Sequence, residues 1–204
     1  MNDQTPFDHW QDRFAGEDYR FGTAPNAFLK SQAHLLRKGQ TALVIADGEG
    51  RNGVFLAEQG LDVLSLDFSP NAQVKARKLA AERGVHMRIV EANVIDWNYP
   101  PEAFDVVAGI FFQFASPPDR EKIFAGIKRS LKPGGLLLIE GYGPKQLEYK
   151  TGGPGRLDYL YTRALLQTAF ADFAAIDIRE HDTVIHEGAG HGGMSALIDL
   201  VGRK

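Results

Sequence analysis

TALVIADGEGRNGVFLAEQGLDVLSLD, residues 41–67, decides the fold. TALVIA (41–46) is a short apolar run of the kind that forms a strand buried on both faces. A glycine-rich turn follows. Beyond Arg51, Val54, Ala57 and Leu61 recur at helical spacing, and Gly60 ends the helix. DVLSLD (62–67) is a second strand. In the turn, Gly48-x-Gly50-x-x-Gly53 has the spacing of the dinucleotide fingerprint. Such glycines let a ligand approach the backbone, and the next helix offers it unpaired N–H groups. Asp67 ends the second strand about 20 residues past Gly48, where an acid accepts both hydroxyls of an adenosine ribose. An acid there also suits the start of the next helix through its dipole.

The same rhythm continues outward. Ser69 and Pro70 are N-cap and first residue of a helix to about Arg83, closed by Gly84. VHMRIVEA (85–92) and FDVVAGIF (104–111) are the third and fourth strands. PPDREKIFAGIKRSL (117–131) is a helix, and Pro133-Gly134-Gly135 turns the chain into a fifth strand, GLLLIEGY (135–142). Strands alternating with helices imply a parallel sheet covered on both faces. After a helix near 160–170, FAAIDIREHDTVIHE (173–187) and MSALIDLVGR (194–203) have only EGAGHGG between them, so they pair as an antiparallel hairpin. The expected fold is therefore α/β, Rossmann-like and doubly wound: a mostly parallel seven-stranded sheet ending in an antiparallel hairpin. A single domain is expected, with residues 39–142 as its cofactor half and 143–204 as its substrate side. Residues 1–38 are aromatic-rich, with short helices near 6–14 and 25–37, and form either a cap on the sheet edge or a lid over the ligand cleft.

Composition sets limits. The 204 residues suffice for one domain with a sizeable core. A net charge of −3 argues against a general nucleic-acid binder. The absence of cysteine excludes disulfides and thiolate chemistry and suits a cytoplasmic location. The polar, aromatic start shows no signal-peptide pattern, and no apolar run approaches the roughly 20 residues that span a bilayer. A monomer or homodimer acting on a small molecule is expected.

The loop also carries Asp47 and Glu49, on either side of Gly48. Two unit charges about 4 Å apart at an effective dielectric near 20 interact by about 4 kcal/mol. Acids facing the ligand would oppose a pyrophosphate and favour a cation; acids facing solvent would do little.

With these residues in place, the chain resembles the class I S-adenosylmethionine-dependent methyltransferases, most closely the small tellurite-resistance-like and thiopurine-methyltransferase-like members. The resemblance runs through ALVIADGEGRNGVFLAEQG, LSLDFSP, EANVIDW, FDVVAGIF and LKPGGLLLIEGY, with WQDRFAGEDYRFGTAPNAFL as the lid and GGPGRLDYLYT and HGGMSALIDLVGRK on the substrate side. It implies S-adenosylmethionine as cofactor. The backbone at Ala46, Asp47, Gly48 and Gly50 would line its methionine part, Asp67 would bind the ribose, and Phe68 would face the adenine. Asn93 and Val94 would lie near the adenine amine, Ile110 and Phe111 under the cofactor, and Arg13, Tyr19 and Gly22 in the lid. Two positions depart from the family pattern. Val44 stands at the usual acid and Ala46 at the first glycine, which suits alanine only if its φ is negative. Asp47 is placed to replace the missing acid.

Methyl transfer from a sulfonium is an in-line displacement. A soft S, Se or Te nucleophile needs no base; an oxygen or nitrogen acceptor gains from one. Tyr142, Tyr159, Phe111 and His191 are substrate-side candidates. Tyr149, Tyr161, His181, His186, Lys145 and Arg156 read more readily as wall, core or surface. His186-x4-His191 is a poor ligand spacing and no acid-rich set converges along the chain, so no metal is expected. Two rivals remain. A nicotinamide oxidoreductase lacks a Tyr-x-x-x-Lys pair; a cofactor-binding sensor or partner protein without turnover draws on Val44 and Ala46.

Overall fold

The computed structural model describes residues 6–204; the expected front segment is thus seen except for residues 1–5, which lie outside the described residues. Seven strands form one sheet in the order β3-β2-β1-β4-β5-β7-β6. These are β1 (Thr41–Ile45), β2 (Asp62–Asp67), β3 (Arg88–Glu91), β4 (Phe104–Ile110), β5 (Leu131–Tyr142), β6 (Ala175–Glu187) and β7 (His191–Arg203). The first five run parallel, and β7 pairs antiparallel with both β5 and β6. The parallel sheet finished by a hairpin is the expected one.

Each strand sends alternate side chains to opposite faces, and both faces are covered. On one, Leu43, Ile45, Val107, Leu137 and Ile139 pack against Ile123, Phe124 and Ile127 of α5 (Pro117–Ser130) and Leu166 of α7 (Arg163–Ala169). On the other, Val44, Val106, Ala108 and Leu138 pack against Phe55 and Leu56 of α3 (Arg51–Glu58) and Phe28 and Leu29 of α2 (Ala27–Ser31). The other helices are α1 (Pro6–Arg13), α4 (Pro70–Glu82) and α6 (Gln146–Tyr149). Ser69 caps α4 as the sequence indicates, its hydroxyl accepting from the Ala72 N–H at 3.2 Å, and Gly84 follows with φ +66°.

Several boundaries differ from the pattern. The helix expected over 25–37 is only the five-residue α2 and a 3₁₀ turn at Ala33–Leu35. The Ser31 hydroxyl donates to the Phe28 carbonyl at 2.7 Å, the local competition by which serine weakens a helix. The helix near 160–170 starts only at Arg163, because Thr162 caps it and the Tyr161 N–H pairs with the Tyr142 carbonyl. The hairpin is longer than its apolar runs: β7 begins at His191, paired with Glu187, and residues 188–190 alone connect the strands. No helix among the described residues is long and apolar enough to cross a membrane.

Candidate active site

Between β1 and α3 the chain turns through three left-handed residues, Ala46 (φ +49°), Gly48 (φ +58°) and Gly50 (φ +85°). The negative φ that would have suited Ala46 is therefore not what the structure has. A side chain in this region costs about 1–2 kcal/mol, which explains why glycine is preferred there. Gly50 and Gly53 are required by space as well. A Cβ on Gly50 would lie 2.6 Å from that of Ala76 in α4, and one on Gly53 would collide with the Asp47 carboxylate.

Asp47 is buried. It accepts from the Gly53 N–H at 3.2 Å and the Ser65 hydroxyl at 2.7 Å, tying the turn to β2 and α3. This is the ordering role open to it once Val44 replaces the usual acid. Burial pushes its carboxyl up to about 7, against the lowering effect of those hydrogen bonds. Glu49 is buried too, 2.8 Å from the Lys75 ammonium. Neither acid faces solvent, and neither acts as the free anion that a selection between pyrophosphate and cation would require. Asp47 is only about half ionised near pH 7, and Glu49 is paired.

Glu49 instead holds the front of the chain. It accepts from the N–H groups of Arg20 and Phe21 at 3.1 and 3.2 Å. Lys75 donates to the Asp18 carbonyl at 2.7 Å, and the Tyr19 hydroxyl donates to the Lys75 carbonyl at 3.1 Å. Phe14 then sits over Gly48, where a Cβ would meet its ring at 3.5 Å. The segment covers the glycine loop, as a lid would.

Under it lies a cavity of about 80 Å³, lined by Trp10, Phe14, Phe21, Ala46, Asp47, Gly48, Asn52, Asp67, Phe68, Ile110, Phe111 and His191, among others. Asp67 is buried. Its two carboxylate oxygens accept from the N–H groups of Gly48 and Ser69, both at 2.8 Å, and burial raises its pKa. Phe111, the first residue after β4, has φ +54°. Two non-glycine residues in a strained region thus line one small cavity, and such strain gathers where function over-determines the backbone.

Beside it, a second cavity of about 520 Å³ is lined by Arg13, Gln113, Tyr142, Tyr159 and Gly152–Pro154. Trp10, Phe21, Phe111, Phe114 and His191 belong to both cavities. The His191 ring is stacked between Phe21 and Phe111, with centroids 4.5 and 4.3 Å away, and its Nδ1 lies 2.7 Å from the Tyr142 hydroxyl. Burial, with Arg51, Arg13 and Arg20 nearby, pushes its pKa down to about 3, so the imidazole is neutral. Burial raises the Tyr142 phenol. The Arg13 guanidinium stacks over Trp10 at 4.8 Å, and its buried Nε has no hydrogen-bond partner.

Most residues singled out in the sequence converge here: Ala46, Asp47, Gly48, Asp67, Phe68 and Ile110 on the loop cavity, and Phe111, Tyr142, Tyr159, His191 and Arg13 on or beside the second. Three act from behind. Gly50 packs against α4, and Tyr19 ties the lid to Lys75. Gly22 packs beside Gly188 of the hairpin loop. Asn93 and Val94 do not reach the cavity. The exposed Asn93 turns its carbonyl to the Ile95 N–H at 3.0 Å, and the Val94 side chain is buried in the core. Trp10, Phe14, Gln113 and Phe114 were missed. The i,i+4 spacing of Trp10 in α1 and Phe14 just after it is the signal that could have found the first two, whereas Gln113 and Phe114 lie in the turn after β4 and carry no periodicity that marks them.

Residues 42–135 match the family model described as "Methyltransferase domain". Over 104 residues, half of this chain and 47% of the relative, the sequence is 36% identical to a demethylmenaquinone methyltransferase of Thermus thermophilus. The chain spans about half the length of the curated relatives it matches. A structure solved in work on the conversion of a disulfide into a thioacetal group during echinomycin biosynthesis superposes with a TM-score of 0.77. It covers 98% of this chain and 93% of its own at 18% identity. A SAM-dependent methyltransferase of Methanosarcina mazei gives 0.68 over 88% and 98% of the two chains, also at 18% identity. The fold is that of the SAM-dependent methyltransferases.

Proposed function

We propose that this chain is an S-adenosylmethionine-dependent methyltransferase acting on a small, flat acceptor that carries negative charge. One observation carries the reading: the loop cavity and the larger cavity share a wall of Trp10, Phe21, Phe111, Phe114 and His191. A donor on one side and an acceptor on the other meet there, as an in-line displacement requires. The match to methyltransferase domains over 42–135 and the quinone-related relative support it.

The residues present fit the cofactor. Asp67 is buried at the position for the ribose hydroxyls, the left-handed turn exposes backbone, and Phe68 and Phe111 offer flat faces. Bound there, S-adenosylmethionine supplies a methyl group on a sulfonium, already open to displacement. The aromatic walls favour a cation by their π faces, a role first assigned to the loop acids. A cavity of about 80 Å³ is far below the roughly 300–1,000 Å³ of ordinary ligand pockets. Residues 10–21 therefore open for entry and close afterwards, excluding water from the reacting groups.

On the acceptor side, Arg13 supplies positive charge and the neutral His191 positions the ring that faces it. With its pKa held so low, His191 is a weak proton acceptor, which suits an acceptor that arrives as an anion, such as a phenolate. The same observation favours a second reading, a soft S, Se or Te nucleophile that needs no base. Calorimetry with S-adenosylmethionine, then turnover on phenolic acceptors and on small thiols, selenite and tellurite, tests both. Micromolar binding is expected, weakened tenfold or more by Asp67→Asn; absence of binding sinks the proposal. Binding with turnover on neither class favours a sensor without catalysis.

A further inference from the structure

The geometry points to a second site: Glu140, His181 and Asp199 form a binding site for one divalent first-row transition-metal ion. The three lie on neighbouring strands and share one face. Glu140 on β5 is directly opposite Asp199 on β7, and His181 on β6 is opposite Leu197, two residues before Asp199. Their ligand atoms all lie within 4.8 Å of one another. Like charges placed directly opposite across strands oppose each other. Burial and Asp199 raise the Glu140 carboxyl, so the pair is held either by a proton shared between the two acids or by a cation that displaces it.

A separate observation points the same way. Asp199 is 7% exposed, and its Oδ1 is buried without a hydrogen-bond partner, while its Oδ2 lies 2.9 Å from His181 Nε2. An orphaned buried carboxylate oxygen is costly and needs an explanation. Arg179 faces the same cavity and is paired in register with Asp199, yet no ion pair joins it to either acid among the described residues. Asn26 donates its amide to Glu140, holding that carboxylate in place as an outer-shell group does for a ligand.

The donor set decides the class of ion. One imidazole nitrogen with two carboxylates suits Mn²⁺, Co²⁺ or Zn²⁺ better than an all-oxygen ion such as Ca²⁺. Metal–ligand bonds of about 2.0–2.2 Å place ligands within roughly 4 Å of each other, so side-chain adjustments of about 1 Å complete the set. A cavity of about 750 Å³ opens beside the three residues and gives access and room for water ligands. It borders the methyl-transfer cavity only through Phe21 and Arg51. The sequence hides this site because its members sit far apart along the chain and meet only through strand order.

The test is titration of the full, untagged chain with MnCl₂, CoCl₂ and ZnCl₂ by calorimetry, with thermal unfolding in parallel. One equivalent of at least one ion is expected to bind with a micromolar or lower Kd and to raise Tm. Asp199→Asn and His181→Gln should each weaken binding about tenfold or more. Should Asp199→Asn fail to fold, His181→Gln, at a partly exposed position, carries the test alone, with broadening of the His181 ring signals by Mn²⁺ as the second readout. Absence of one-to-one binding by all three ions overturns the site, as does binding that survives both substitutions. Cofactor binding is measured at the other cavity, so either reading fails without the other.

Discussion

Replacing Lys75 by Met asks whether one buried ion pair holds the N-terminal segment on the glycine loop. The Lys75 and Glu49 side chains are 10% and 1% exposed and 2.8 Å apart. At that distance and an effective dielectric near 20, their attraction is about 6 kcal/mol, most of which the desolvation of both ions offsets. Removing Lys75 alone leaves Glu49 buried with only the N–H groups of Arg20 and Phe21, and losses of about 3–5 kcal/mol follow from such uncompensated charges. Here the segment has an escape: by lifting off, it returns Glu49 to water. The loss in global stability is therefore limited to about 2–3 kcal/mol, and the rest appears as local opening. Urea unfolding of wild type, Lys75→Met, Glu49→Gln and the double variant measures the first part; the rate of limited proteolysis within residues 13–25 measures the second. The double variant should recover about 1.5–3 kcal/mol relative to the sum of the singles, and Lys75→Met should be cleaved faster. Singles that add within about 0.5 kcal/mol, with unchanged proteolysis, refute the anchoring argument.

Asp47 has a pH signature. Its folded-state pKa is raised from 3.8 to about 7, so between those values the folded protein holds a proton the unfolded chain has released. Stability from this group is therefore present below about pH 4 and lost as pH rises to about 7, by at most about 4 kcal/mol. The stability of Asp47→Asn relative to wild type should rise across that window and level off above it; parallel pH profiles would contradict the assignment. Gly53→Ala, which forces a methyl into the Asp47 carboxylate and 3.0 Å from the Met87 sulfur, should cost about 1–3 kcal/mol by chemical unfolding. A neutral effect there would mean that the carboxylate moves freely and does not order the turn.

Local rules account for much of this molecule. The apolar runs of β1, β2 and β4, the Ser69-Pro70 helix start and the missing crossover helix before β7 together dictate a parallel sheet closed by a hairpin. They do so because strand formation, turns and helix capping depend on near neighbours in the chain. They also place Gly48, Asp67, Phe68 and Ile110 at strand ends on one edge, where parallel sheets put their ligand cleft. What local rules left open is where charges and rings point. Asp47 and Glu49 look alike beside Gly48, yet one is buried against Ser65 and the other against Lys75, partners 18 and 26 residues away. The sign of φ at Ala46 depends on how β1, α3 and α4 pack around the turn. His191 reaches the shared wall, and Asp199 reaches Glu140, only because β7 folds back between β5 and β6. Burial and long-range contact set these charges and positions, and both are products of the assembled sheet.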